Sequence, residues 1–178
     1  MSNDLFKNLL DNHTSLIQKI KLDDNLQNNI HKAASIIIKA LKENLPFLVM
    51  GNGGSAADAA HITGELLGKF IYERKPLNAI CLNSEFAAIT AISNDDDYSQ
   101  IFARQVKAHS CPKGIVFGIS TSGNSQNVIN AFKEASKNKM FTIGLTGLGG
   151  GKLKNYSDIL IDVPSKETPR IQELHIII

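Results

Sequence analysis

"FLVMGNGGSAADAAHITGELLG", residues 47–68, passes from a short apolar run through three glycines and a serine into a segment of small and apolar residues with helical spacing. Four apolar residues are too few for a helix, and glycines punctuate their end, so the stretch reads as strand, tight turn and helix. Four similar runs follow: "LNAICL" from 77, "GIVFGIS" from 114, "MFTIGLT" from 140 and "DILIDV" from 158, each separated by helix-length sequence. Continuously apolar strands alternating with helices imply a parallel sheet covered on both faces, which is a doubly wound α/β fold with five strands. Right-handed crossovers then bring ligands to the carboxyl ends of the strands, beside the helix N-termini.

Outward from that core, residues 4–44 read as helical: Leu5, Leu9, Leu10, Ile17 and Ile20, then Ile30, Ala33, Ala34, Ile37, Ile38 and Leu41, recur at three- and four-residue spacing until Pro46. The organisation expected is an N-terminal helical extension over 1–45, with an apolar face suited to another subunit, and one α/β unit over 46–178. At 178 residues with 43% apolar content, the chain has enough material for one buried core. Lys and Arg number 19 against 17 Asp and Glu, with no basic run interleaved with aromatics, so a nucleic-acid partner is not indicated. No apolar run approaches the roughly 20 residues that span a bilayer. Cys81 and Cys111 form no CxxC pair and no signal peptide precedes them, which points to free thiols in a reducing cytoplasm.

Two loops have the chemistry of an anion cradle. In "GNGGSA", Gly51 to Ala56, glycines permit positive φ and close approach of a ligand, while helix-start N–H groups face an anion. Gly51, Gly53 and Ala56 also match a dinucleotide fingerprint, but "AICLNS" carries no acidic residue at the end of the second strand, which argues against a nicotinamide cofactor. The GxxxxGK[ST] pattern of nucleoside triphosphate binders is absent. In the second loop, "STSGNS", the hydroxyls of Ser120, Thr121, Ser122 and Ser125 surround a glycine before the helix "QNVINAFKEASK". One or two hydroxyls are explained by helix capping; four exceed it and suit a phosphate.

His61 and Glu65 stand four residues apart on the helix that leaves the first loop, so they share a face two to three turns from the anion site. Such a pair is either a solvated i,i+4 contact or two groups converging on one atom. Their small and apolar neighbours Ala56, Ala57, Ala59, Ala60 and Ile62 describe a buried helix, where a carboxylate needs a partner or a task. His13, His31 and His109 read as structural. In "NDDD", 94–97, one Asp is expected to cap the following helix, while Asn94 and Asp95 follow a strand-edge segment and face the cleft. Magnesium held by the three adjacent aspartates is a poor fit, since neighbouring carboxylates rarely all reach one ion.

Taken together, "GNGGSAADAAHITGELLGKF", "STSGNSQNVINA" and "RIQELH" resemble the sugar isomerase (SIS) domain family, and within it the phosphoheptose isomerases, over nearly the whole chain. The resemblance implies a five-stranded sheet in flavodoxin-like order and a cytoplasmic homo-oligomer, expected to be a tetramer with active sites at subunit contacts. It implies an aldose–ketose isomerase that converts sedoheptulose 7-phosphate to D-glycero-D-manno-heptose 7-phosphate through an enediol. That step begins ADP- or GDP-heptose synthesis for bacterial lipopolysaccharide or surface glycan. By the same resemblance Ser120, Thr121, Ser122 and Ser125 hold the phosphate, and Asn52, Gly53, Gly54, Ser55, Asn94, Asp95 and Gln172 hold the sugar. Glu65 is the catalytic base, with burial expected to raise its pKa, and His61, Glu65 and Gln172 are ligands of one zinc per subunit. The family's fourth ligand and general acid is a second His, five residues beyond that of "QELH"; His175 is the first, and the second is expected beyond Ile178 in a chain that continues. A second class of function fits the same fold: a non-catalytic SIS tetramer that binds the bacterial replication-initiator protein. Glu65 beside His61 favours the enzyme. A regulator binding sugar phosphate without turnover is the third alternative.

Overall fold

A computed structural model describes residues 3–178. The helical N-terminal region is two helices, α1 (Asn3–Leu22) and α2 (Asp24–Lys42). They break at Asp23, whose carboxylate accepts the Leu26 N–H at 2.9 Å and so caps the second. The α/β succession is β1 (Phe47–Gly51), α3 (Gly54–Leu67), β2 (Ala79–Cys81), α4 (Phe86–Asp95), α5 (Ile101–Ala108), β3 (Ile115–Ser120) and α6 (Gln126–Lys137). It ends with β4 (Phe141–Thr146), β5 (Ile159–Asp162) and α7 (Thr168–Ile177).

All five strands are parallel, in the order β2-β1-β3-β4-β5. Alternate side chains of each strand enter opposite layers, as the pleat requires. Phe47 and Val49 of β1 join Ala59, Phe117 and Leu145 on the side covered by α2 and α3. Leu48 and Met50 join Phe102 of α5 and Val128 and Phe132 of α6 on the other. A smaller cluster of Val163, Ile171 and Leu174 receives Leu16 and Ile17 of α1, and His13 Nδ1 meets the Glu173 carboxylate at 2.9 Å, tying α1 to α7. Cys81 is a buried strand residue, as its sequence context indicates.

The strand order reverses at β1, where the chain leaves to one side for β2 and crosses to the other for β3. Gly51 pairs with Ile119, so the loops that follow β1 and β3 emerge side by side at the carboxyl edge. In open α/β sheets this is where ligands bind. One stretch differs from the sequence expectation. Residues 86–95 are a helix rather than a strand-edge segment, because Ile89 and Ile92 recur at helical spacing and pack on the α5–α6 layer; Asn94 and Asp95 therefore close α4. Among the described residues, no helix is long and apolar enough to cross a membrane.

Candidate active site

The first loop turns at Gly53, whose φ of 58° lies in the left-handed region and begins α3 with no side-chain cap. The Ser55 and Ala56 N–H groups close the turn by donating to the Asn52 and Gly53 carbonyls at 3.1 and 3.0 Å, so no side chain is needed to satisfy them. Asn83, just after β2, braces the turn by accepting from the Gly51 N–H at 3.1 Å and donating to the Gly51 carbonyl at 2.9 Å. Ser55 is buried beneath Gly51.

The second loop holds Ser120 and Ser125 together, Oγ to Oγ at 2.9 Å. Ser125 occupies the N-cap position of α6 yet makes no capping bond with its side chain, so capping does not account for its hydroxyl. The Ser122 hydroxyl accepts the Asn124 N–H at 3.1 Å, while Thr121 is half-buried at the loop's start. A glycine-rich segment, Gly147–Lys152, presses on this loop from outside. The Gly147 N–H donates to the Thr121 carbonyl at 3.0 Å and the Lys152 N–H to Asn124 Oδ1 at 3.0 Å; Gly123, at φ 63°, sits so close to Gly150 that a Cβ there would collide with its backbone. This buttress went unread in the sequence, although "GLGGGK" is itself a glycine cluster.

Along α3, His61 Nε2 and Glu65 Oε1 stand 3.4 Å apart. The expected burial is realised on only one face of α3: Ala59 and Thr63 are buried, whereas the His61 and Glu65 side chains keep 60% and 45% of their surface exposed. Both side chains border a cavity of about 580 Å³ between α2, α3 and the end of α7, with Ile37, Ile62 and Leu66 among its apolar walls. Gln172 reaches the same helix start from α7: a methyl group on Gly54 would overlap its amide. Asp58, one turn before His61, has a carboxyl pKa raised by burial and partly lowered by the His61 charge.

Two donors about 2.0–2.1 Å from one tetrahedral zinc stand about 3.4 Å apart, which matches the His61–Glu65 spacing, and an imidazole with a carboxylate is a donor set zinc accepts. Among the described residues no group of three His, Cys, Asp or Glu forms a metal cluster; a third ligand from this subunit would have to be an amide such as Gln172. His175 also lines the cavity. It is 4% exposed, and neither ring nitrogen makes a hydrogen bond of good geometry among the described residues. Desolvation pushes its pKa down to about 4, opposed weakly by the nearby Thr146 backbone, so the ring is neutral.

Between the two loops lies a polar link that the sequence reading passed over. Asn52 exchanges amide hydrogen bonds with Asn127 of α6, 2.9 Å in each direction, and Tyr98 donates to Asn52 Oδ1 at 2.9 Å. Asn127 stands in the sequence only as a residue of the helix "QNVINAFKEASK", with no local signal of its partner 75 positions away. Asn94 donates to Asp95 Oδ1 at 2.7 Å, and neither residue bonds to the two loops among the described residues. Asp97 is the capping aspartate of that run, accepting the Ser99 N–H at 2.7 Å.

The SIS domain profile matches residues 10–147. Among curated relatives, a protein of Helicobacter pylori (strain ATCC 700392 / 26695) named phosphoheptose isomerase is 46% identical over 154 residues, which is 86% of this chain and 80% of that protein. One of the same name from Aneurinibacillus thermoaerophilus is 40% identical over 176 residues, covering 99% and 89%. The solved structure of a phosphoheptose isomerase from Francisella tularensis superposes with a TM-score of 0.92 at 38% identity, over 99% of this chain and 94% of that one.

Proposed function

This chain belongs to the SIS domain family and is an isomerase of sugar phosphates, and we propose that it interconverts sedoheptulose 7-phosphate and D-glycero-D-manno-heptose 7-phosphate. The observation that carries this reading is the placement of the hydroxyl loop beside the glycine loop across the β1/β3 switch, with Gln172 over the start of α3 and the His61–Glu65 face two to three turns further along that helix. A ligand with a phosphate at one end and a reacting carbonyl at the other matches that division of labour. The hydroxyls of Ser120, Thr121, Ser122 and Ser125, with the N–H groups that open α6, hold the phosphate without adding charge. The sugar chain is held by Asn52, Gly53, Gly54, Ser55 and Gln172, and by Asn94 and Asp95 at the end of α4.

Glu65 acts as base. It removes the C1 proton of the ketose; the C1–H electron pair forms the C1–C2 double bond, and the carbonyl π pair moves onto the C2 oxygen, giving the enediolate, the ionised form of the enediol. Returning the proton at C2 while the C1 hydroxyl proton moves to the C2 oxygen leaves a C1 aldehyde, so atoms and charge balance. A base in this position contributes roughly a hundred- to ten-thousand-fold. His61, Glu65 and Gln172 would hold zinc, which when bound would polarise the carbonyl oxygen or fix the geometry of the site. Exposed Leu5, Phe6, Leu9 and Leu10 on α1, with Phe70, Ile71 and Tyr72 after α3, form apolar surface of the kind that subunits cover, which supports a homo-oligomer, read as a tetramer. The product would enter heptose nucleotide synthesis for a bacterial surface glycan, in the cytoplasm.

Proton exchange tests the reading. Incubated with sedoheptulose 7-phosphate in heavy water, the protein should yield the aldose with deuterium beside the carbonyl, and a chelator should abolish the signal if zinc is required. Binding of the sugar phosphate without conversion or exchange would refute the isomerase in favour of a non-catalytic binder.

A further inference from the structure

The Asn52–Asn127 pair has a property that neither residue has alone: its orientation is determined. Asn127 is 3% exposed in the first turn of α6, and its Oδ1 accepts the Val128 backbone N–H at 2.9 Å. A backbone N–H can only donate, so the oxygen of the Asn127 amide must face it. The same oxygen accepts from Asn52 Nδ2, and Asn127 Nδ2 donates to Asn52 Oδ1, each at 2.9 Å. Tyr98 fills the second lone pair of Asn52 Oδ1 at 2.9 Å. Counting valences, the Asn52 oxygen is saturated and one N–H of its amide has no partner among the described residues. Tyr98 is itself held in place through its neighbour, because Asn130, one helical turn after Asn127, donates to the Ser99 carbonyl at 3.1 Å.

We propose that Asn127 and Tyr98 are positioning residues that lock the Asn52 amide with a single N–H facing the sugar, so that Asn52 serves the substrate as a donor and never as an acceptor. The proposal rests on the sugar-phosphate isomerase reading above. Its physical content is preorganisation: a side-chain amide free to rotate offers oxygen or nitrogen, whereas this one is committed to contact a carbonyl or hydroxyl oxygen before substrate arrives. The link also joins the loop after β1 to the helix that opens the hydroxyl loop, fixing the distance between the sugar and phosphate ends.

The test is a double-mutant cycle in the full chain. Tyr98→Phe removes one hydrogen bond at a residue 54% exposed, where folding is not at stake, and should lower kcat/KM about two- to tenfold. Asn127→Leu should lower it further, and thermal melting reports whether that variant folds. Both effects should vanish in an Asn52→Ala background, because residues acting through Asn52 have nothing left to position. Asn52→Asp, which replaces the N–H donor by an acceptor in the same shape, should be at least as impaired as Asn52→Ala. Equal effects of Tyr98→Phe with and without Asn52, or wild-type activity in Asn52→Asp, would overturn the proposal while leaving the isomerase reading intact. If the wild-type protein turns over no sedoheptulose 7-phosphate, that reading fails; the cycle is then read on calorimetric binding of the same compound, where additive effects, or no binding at all, would overturn this proposal too.

Discussion

His175 should make this protein acid-labile in a way that one substitution removes. The ring is 4% exposed with no well-formed hydrogen bond among the described residues, and its pKa falls from 6.5 to about 4 because burial disfavours the charged form. In the unfolded chain the ring takes up a proton as pH drops below 6.5, while in the folded chain it waits until about 4. The unfolded state therefore binds more protons between those values, and stability falls as pH falls through that window; above pH 6.5 both states are neutral and nothing is lost. A gap of that size corresponds to about 2 kcal/mol at pH 5 and about 3 kcal/mol below pH 4. His175→Leu removes the titrating group and two unpartnered nitrogens while keeping an apolar side chain in the α7 layer, so at pH 7.5 it should be neutral or mildly stabilising. Urea unfolding of wild type and variant, at matched protein concentration and at pH 7.5 and 5.0, gives the difference directly. The variant's advantage should grow by about 2 kcal/mol at the lower pH. An advantage unchanged between the two pH values would refute the buried neutral ring.

Glu65→Gln keeps the shape of the site but removes the base, and should cost at least a hundredfold in kcat while calorimetry still detects sugar-phosphate binding; retention of most activity would remove Glu65 from that role. Gly123→Ala forces a Cβ into the Gly150 backbone at a left-handed φ, and should destabilise the fold by about 2–5 kcal/mol and raise KM through displacement of the hydroxyl loop; a wild-type melting temperature would show that the glycine buttress yields. Asp58 has its carboxyl pKa raised by burial, so its ionisation opposes folding as pH rises through that value. Asp58→Asn should raise the melting temperature at pH 7 and lose that benefit near pH 3, as scanning calorimetry at the two values would show.

The identities of the elements were legible in the chain because each is a local property. Five apolar runs bounded by glycine and polar turns marked the strands, and the periodicity of residues 4–44 marked the N-terminal helices. The glycine loop and the hydroxyl loop were equally visible, since each is a local cluster of residues just before a helix, and the His61–Glu65 pair follows from the pitch of α3 alone. Segment 86–95 was misread because a short apolar stretch carries little to separate helix from strand until Ile89 and Ile92 find the α5–α6 layer. What only the tertiary structure decided is which distant groups meet. Strand order set the two loops side by side, α7 brought Gln172 over Gly54, and the packing of α6 on β3 paired Asn127 with Asn52. The exposure of Glu65 and the burial of His175 belong to the same level. Sequence periodicity reports that a helix has an apolar face; the neighbours that cover it, and the water they exclude, are fixed by contacts among residues far apart in the chain.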